Sequence, residues 1–409
     1  MSQPCATIGS VSDALLLENP HRDADPLLAR AGLDVARYPG ALVEDALIEA
    51  LDGVRVLGIR SATRVTARVL DNAPNLEAIG AFCIGTTQID LQAAARRGIA
   101  VFNAPYSNTR SVVELAIGEI IALLRRMTER DRSLHAGLWE KSASGAHEVR
   151  GRTLGIVGYG NIGAQLSVLA EALGMRVIFF DIADKLALGN AQRCSTISEL
   201  LREADIVSLH VDDRPANRGL FGAPEFGLMK PGSIFLNLSR GFVVDNNALR
   251  GAILDGQLSG AALDVFPEEP HSNGEEFVSA LRGLPNVILT PHIGGSTLEA
   301  QEAIGQFVGG KLGGYVTSAN TDLSVTLPSL TLPPNESATQ RVAYVHRNTP
   351  GVMALVNQAF AEAGANVSGQ ILGTRGEIGY MISDLSNQLP VEIVEALRGM
   401  EDTIRLRVL

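Results

Sequence analysis

Apolar positions in the first hundred residues come in short runs, ALLLE at 14–18, VRVLGIR at 54–60 and LEAIGAF at 76–82, separated by stretches of helical spacing such as EDALIEAL. This alternation predicts a parallel sheet flanked by helices. At Ser111-Val112-Val113-Glu114 a serine precedes a glutamate by three residues and a long apolar run continues, the pattern of a capping box that opens a helix and a new domain. From Arg152 to Pro291 the alternation is stricter. TLGIVG, MRVIFF, DIVSLHV, SIFLNLS, GAALDVF and NVILT predict about six strands of a doubly wound sheet. A second capping box, Ser296-Thr297-Leu298-Glu299, predicts a helix to about Tyr315 that returns the chain to its first domain.

Residues 318–338 hold Pro328, Pro333 and Pro334 and show no helical period, as expected of an extended connector. Beyond it RVAYVHR reads as a strand, and Val352, Leu355, Val356, Ala359 and Phe360 fall on one helix face. NVSGQILGT and GYMISDLS then read as strands, VEIVEALRGM as a helix and TIRLRVL as a last strand. The order β-α-β-β-α-β is the ferredoxin-like arrangement. The expected layout is α/β throughout: one domain from 1–108 and 296–330, a second at 109–295 inserted into it, a linker at 331–338 and a small domain at 339–409.

Composition removes several classes of partner. With 34 Lys and Arg against 45 Asp and Glu the formal charge is −11, so the surface repels nucleic-acid phosphates and anionic lipid, and neither is expected as a partner. Hydrophobic residues at 46% and charged ones at 19% suit a chain that buries sizeable cores. Cys5, Cys83 and Cys194 are too few and too scattered for a disulfide framework or a metal site, which fits a reducing, cytoplasmic setting. The first twenty residues lack the basic and apolar regions of a secretory signal. The apolar stretch from Val112 to Met127 is broken by Glu114, Glu119, Arg125 and Arg126, so it reads as a buried helix and not a membrane span.

Candidate chemistry begins at Gly158-Tyr159-Gly160-Asn161-Ile162-Gly163, a G-x-G-x-x-G that follows the strand LGIV and opens a helix. Glycines there permit a tight turn and let a pyrophosphate approach the helix N-terminus. The next strand ends in Asp181, where a carboxylate accepts hydrogen bonds from an adenosine ribose and favours NAD over NADP. Arg240, Glu269 and His292 each stand just beyond a predicted strand of the same sheet, and Asp264 lies inside the fifth. Oxidation of a secondary alcohol needs a base for the hydroxyl proton, which suits His292. A carboxylate on its second ring nitrogen fixes the tautomer, which suits Glu269. The planar fork of Arg240 suits a carboxylate or carbonyl. Any one of these alone reads as a surface ion pair or a satisfied histidine; three at successive strand ends do not.

GRTLGIVGYGNIG at 151–163, the ADIVSLHV strand, MKPGSIFLNLSRG at 229–241, ALDVFPEEP at 262–270 and TPHIGGST at 290–297 together resemble the D-isomer-specific 2-hydroxyacid dehydrogenases, in particular the short bacterial type that carries a C-terminal ACT domain. The resemblance implies a Rossmann-type NAD-binding domain inserted in a flavodoxin-like substrate domain, followed by a ferredoxin-like ACT domain. It implies a catalytic set of Arg240, Glu269 and His292. Cofactor contacts are implied at Gly158, Gly160, Asn161, Ile162, Gly163, Asp181, Leu238, Ser239, Arg240, Asp264, His292, Ile293, Gly294 and Gly295. Substrate contacts are implied at Arg60, Ser61, Cys83, Ile84, Gly85, Asn108 and Arg240. The implied reaction is NAD-dependent oxidation of 3-phospho-D-glycerate to 3-phosphohydroxypyruvate, entry to L-serine synthesis, in a homotetramer. Close bacterial relatives tend to place a second basic residue after Arg60-Ser61; here Ala62 stands there, with Arg64 two positions on. Another 2-hydroxyacid (2-hydroxyglutarate, glycerate or hydroxypyruvate) and a non-enzymatic NAD-sensing role stay open at this point.

His346-Arg347-Asn348-Thr349-Pro350-Gly351 resembles the H-x-N-x-P-G turn of serine-regulated ACT domains, and Asn366 matches a second amide after the helix. The resemblance implies L-serine as effector, with the imidazole and amides supplying donors and acceptors for a zwitterion. Cys83 reads as a small hydrophobe beside a backbone site and not as a nucleophile. Trp139, the only tryptophan, reads equally as a subunit contact or as packing within its own subunit.

Overall fold

The computed structural model describes residues 12–270 and 274–409, so Cys5 lies outside the described residues. The chain divides into two compact units, one made of the residues up to Ser107 with Gln301–Leu409, the other of Asn108–Ala300.

In the first unit, β1 (Ala14–Leu17), β2 (Val35–Tyr38), β3 (Val56–Ile59), β4 (Ala78–Ala81) and β5 (Ala100–Phe102) form a parallel sheet in the order β2-β1-β3-β4-β5, the flavodoxin-like order. Strands β1, β3 and β4 are buried on both faces, which is why their sequences run apolar without alternation. One face packs on Leu47, Val69, Leu70 and Ala93. The other packs on Ile304, Val308, Leu312 and Tyr315 of the Leu298–Ser318 helix. That helix lies so close that a β-carbon on Gly80 would come within 2.7 Å of Val308 and Leu312. Half-buried VARY of β2 carries no apolar run, so the pattern missed it.

The second unit is a seven-stranded sheet. It comprises β6 (Thr153–Val157), β7 (Arg176–Phe180), β8 (Gln192–Arg193), β9 (Ile206–Leu209), β10 (Ser233–Asn237), β11 (Leu258–Leu263) and β12 (Val287–Leu289), in the order β12-β11-β10-β9-β6-β7-β8 with every pairing parallel. The winding reverses between β6 and β9, the switch point where such sheets bind ligands. The strand beyond the expected six is β8, two exposed edge residues with no pattern to read. Both capping boxes are displaced. The first helix runs Thr109–Leu124 with Asn108 at its N-cap, leaving Ser111 inside it and bonded to Thr297 Oγ1 at 2.9 Å, while Glu114 pairs with Arg110. At the second, Thr297 and not Ser296 accepts the capping bond, from the Ala300 N–H, and the helix continues to Ser318.

The C-terminal sheet is antiparallel. Its strands β13 (Gln340–Arg347), β14 (Val367–Arg375), β15 (Ile378–Leu385) and β16 (Thr403–Val408) run in the order β14-β15-β13-β16, the ferredoxin-like topology. One face buries Val352, Val356, Phe360 and Leu397 of its two helices. Its other face places Ala343, Val345, Tyr380 and Ile382 in one core with Tyr315, Leu327 and Leu330. Arg407 pairs with Glu77 at 3.0 Å, donates to the Tyr315 and Val316 carbonyls and lies over the Tyr315 ring. Tyr380 donates to the Ala319 carbonyl at 2.6 Å. The small domain therefore shares its core with the first sheet instead of packing separately beyond an open connector. No described helix is long and apolar enough to cross a membrane.

Candidate active site

The glycine-rich turn joins β6 to the Asn161–Ala172 helix, with Gly160 at its N-cap. Gly158 holds φ 93, and a β-carbon there would lie 2.5 Å from the His210 carbonyl oxygen. One on Gly163 would lie 2.3 Å from the Gly158 oxygen, so both glycines are fixed by close backbone packing. A β-carbon built on Gly160 would meet nothing within 4 Å, and among the described residues no side chain caps the helix, which leaves its first N–H groups available to a ligand. At the end of β7 the Asp181 carboxylate accepts from the Tyr159 N–H at 2.7 Å and the Ala183 N–H at 2.8 Å, which pins an acid beside that turn. His210, at the end of β9, is pushed down to about 4 by burial and stays neutral, sharing a 2.8 Å bond with Ser208 Oγ.

Beyond β10, β11 and β12 the three remaining predicted groups converge. Asn237 closes β10 by accepting from the Ser239 N–H and Oγ and donating to the Arg240 carbonyl, which fixes the Leu238-Ser239-Arg240 turn. Asp264 follows the last residue of β11 instead of lying within the strand. Its Oδ1 accepts from Thr290 Oγ1 at 2.6 Å and the Ile293 N–H at 2.8 Å, and Oδ2 from the Gly294 N–H at 2.7 Å. His292 is thereby held at φ 54, a left-handed conformation. Its Nδ1 lies 2.8 Å from Glu269 Oε2, and Glu269 Oε1 accepts from the Phe266 N–H. The Glu269 bond raises the His292 imidazole above its ordinary value, against burial and the Arg240 charge, with Glu269 and Asp264 charges adding to the rise. Burial would raise the Glu269 carboxyl, but the His292 and Phe266 hydrogen bonds and the His292 and Arg240 charges bring it down. Asn108 stands against Gly295, where a β-carbon would meet its Nδ2 at 2.1 Å.

The other substrate-side positions belong to the first unit and assemble there. Cys83 Sγ lies 3.1 Å from the Gly85 carbonyl oxygen, and Gln88 Nε2 donates to the Arg60 carbonyl at 2.7 Å, tying the Arg60-Ser61 turn to the Cys83–Gly85 loop. The Ile84 carbonyl accepts from Asn103, and the Cys83 carbonyl from the Ala104 N–H. Glu18 accepts from the Ala62 and Thr63 N–H groups at 2.9 and 2.8 Å. Arg60 and Arg64 have no ion-pair partner among the described residues. Asn237, Gln88 and Glu18 escaped sequence reasoning because each serves a loop through bonds to its backbone, and Thr290 because its hydroxyl bonds to a carboxylate 26 residues away; neither leaves a spacing signal.

Residues 117–294 match the NAD-binding domain of D-isomer specific 2-hydroxyacid dehydrogenases, and residues 342–405 an AHAS small subunit-like ACT domain. D-3-phosphoglycerate dehydrogenase of Haemophilus influenzae is 48% identical over 396 residues, 97% of this chain and 96% of that protein. The chain belongs to the D-isomer-specific 2-hydroxyacid dehydrogenase family. D-3-phosphoglycerate dehydrogenase 2 of Saccharomyces cerevisiae is 46% identical over 97% of this chain and 87% of its own. Among solved structures, D-lactate dehydrogenase of Aquifex aeolicus, complexed with NAD and lactic acid, is 26% identical with a TM-score of 0.65, covering 77% of this chain and all of that one. Membership in this dehydrogenase family makes NAD the cofactor, and the open space above Gly160 with Asp181 fixed beside it fits a dinucleotide.

Proposed function

We propose that the chain oxidises 3-phospho-D-glycerate to 3-phosphohydroxypyruvate with NAD, the first step of L-serine synthesis. The observation that carries this reading is the 2.8 Å His292–Glu269 pair with Arg240 close enough to act on both by its charge. Gly158 to Gly163 and Asp181 would hold the cofactor, which supplies a hydride acceptor. His292 Nε2, opposite the nitrogen bonded to Glu269, takes the hydroxyl proton as the C–H bond gives up its hydride. Glu269 stabilises the imidazolium so formed, and Arg240 orients the carboxylate and polarises the forming carbonyl. Arg60 and Arg64 are the cations offered to the phosphate, since Ala62 supplies none. NADH formation on a panel of 2-hydroxyacids tests the assignment: 3-phospho-D-glycerate is the expected best substrate by kcat/KM, and preference for 2-hydroxyglutarate or glycerate would replace it.

L-serine is the effector we assign to the ACT domain, bound between two copies of the chain. His346 is buried against Tyr344, its Nε2 without a hydrogen-bond partner among the described residues, and Asn348 lies in the following turn. Asn366 precedes Val367, which pairs with Leu385 and through it Gln340, at the far end of an eight-residue strand, roughly 24 Å away by strand rise. One chain therefore cannot close a site on both amides. Strand β14 is a sheet edge whose outer side no described strand pairs; antiparallel pairing with its copy would carry each Asn366 toward the partner's Asn348 end. The exposed Leu134, Leu138 and Trp139 supply a second apolar surface, and two different two-fold contacts make the tetramer.

A further inference from the structure

Within the first unit, a cleft of about 900 Å³ opens between the flavodoxin-like sheet and the ACT sheet. One wall is the Leu70–Pro74 turn with Arg96 and Arg97; the other is the 347–349 turn, Gly376–Ile378 and Thr403–Arg405. Its charge is opposite to that of the chain. Arg96, Arg97, Arg347 and Arg405 line it against the carboxylates of Asp71 and Glu377 alone, in a protein of net charge −11. Asp71 is taken up by Arg97. Among the described residues Arg96, Arg347 and Arg405 have no carboxylate within ion-pair distance.

Strand β16 shows what a satisfied arginine looks like at this seam. Arg407 has a carboxylate, two carbonyls and an aromatic face. Arg405, two residues earlier and so on the same face of the strand, donates among the described residues only its Nε, to the Arg97 carbonyl. Burial pulls the Arg405 guanidinium below its ordinary value, the more distant Glu77 carboxylate offsets only part of that, and the Arg407 charge adds repulsion. The seam is closely built where the walls touch: Gly98 holds φ 65, and a β-carbon there would come within 3.1 Å of Arg405 Cβ and 3.3 Å of Val345 Cβ. Leu70, Ala73, Pro74, Ile378 and Ile404 supply apolar lining. Convergent charged groups beside apolar side chains in this volume range describe a small-molecule site.

We propose that this cleft binds a small multivalent oxyanion, a polycarboxylate or polyphosphate, which bridges the guanidinium groups of the two walls and joins the substrate domain to the ACT domain. Neither the catalytic residues nor the zwitterion chemistry assigned to serine requires this concentration of arginine.

The test uses the full-length protein, with citrate and inorganic pyrophosphate titrated separately at ionic strength held constant by sodium chloride. Thermal shift measures affinity, and hydrogen exchange locates the contact. The expected result is a saturable rise in Tm in one or both titrations, with slowed exchange in peptides spanning 94–98, 347–349 and 403–405. In Arg96→Gln/Arg347→Gln, both exposed and outside the catalytic set, apparent affinity falls by about tenfold or more, as for the loss of charge-assisted bonds, while basal turnover holds. Three results overturn the proposal: no saturable response to either anion, equal affinity in the double variant, or protection confined to the 60–61, 83–85 and 240–292 peptides, which assigns the anion to the catalytic residues.

Discussion

His292 occupies a backbone region that costs a β-carbon-bearing residue roughly 1–2 kcal/mol, and the Asp264 bonds to the two following N–H groups hold it there. Such a constraint is expected where orientation matters more than stability. His292→Ala should lose about 10²- to 10⁴-fold in kcat while NADH affinity, measured by fluorescence, is retained. The pH profile is signed. A base must be neutral to accept the proton, so kcat/KM rises with pH through the His292 pKa, which Glu269 holds above 6.5. Removing the carboxylate in Glu269→Gln should move that limb to lower pH and reduce the plateau; an unmoved limb would dissociate the pair from the chemistry. Asp181→Ala should weaken NAD and narrow its advantage over NADP, because the acid disfavours a 2′-phosphate, and unchanged preference in a two-cofactor assay would place the ribose elsewhere. Glu119 is a different case: 4% exposed and with neither carboxylate oxygen hydrogen-bonded among the described residues, it is raised to about 8, chiefly by burial and then by the Asp264 charge. Raised above its ordinary 4.5, the group stabilises the fold while protonated and loses that contribution as pH climbs toward 8. Glu119→Gln should therefore show a Tm advantage over the parent that is small at pH 5 and grows by pH 8.

At the scale of elements, legibility followed burial. Strands buried on both faces announced themselves as apolar runs, and β6, β7, β9, β10 and β11 stand where the pattern predicted them, as do the four ACT strands, of which edge strand β14 shows by alternation alone and has no fully buried residue. Edge strands β2 and β8 bury little and left no signal. Helix starts misled by three residues and by one because a hydroxyl three before a glutamate is a local coincidence, whereas the actual N-caps, Asn108 and Thr297, depend on where the preceding loop leaves the backbone. The strand-end residues were legible because their types match a reaction; their supports were not, because a residue such as Asn237 acts through the backbone of a turn. That asymmetry makes Asn237→Ala informative. It removes both bonds that accept from Ser239 and the one donated to Arg240, at about 1 kcal/mol for each lost buried bond. Turnover should fall with the chain still folded by circular dichroism, and retention of full kcat/KM would show that Arg240 does not depend on that turn.

For the whole molecule, the shared core between the first sheet and the ACT sheet changes how regulation is best tested. Truncating the chain near Leu332 would strip Arg407 from Glu77 and Tyr380 from Ala319 and expose the Tyr315 side of the core, so loss of serine response in a truncation would report unfolding as readily as regulation. Point changes avoid this, since Asn348 and Asn366 are exposed. If serine sits between copies, each site takes Asn348 from one chain and Asn366 from the other. Asn348→Ala and Asn366→Ala should then each abolish inhibition as pure oligomers, with basal turnover intact. Mixed oligomers formed by co-expression should regain it, because pairing one chain of each kind leaves one site with both amides and the opposite site with neither. Binding at an intact site that disfavours the turning-over conformation by the usual ~1–3 kcal/mol inhibits by about 5- to 150-fold. A serine titration of the mixture that shows partial inhibition near the parental midpoint supports the shared site. Inhibition in either pure variant assigns serine to one chain alone, and a mixture as insensitive as its parents removes the pairing of the two amides.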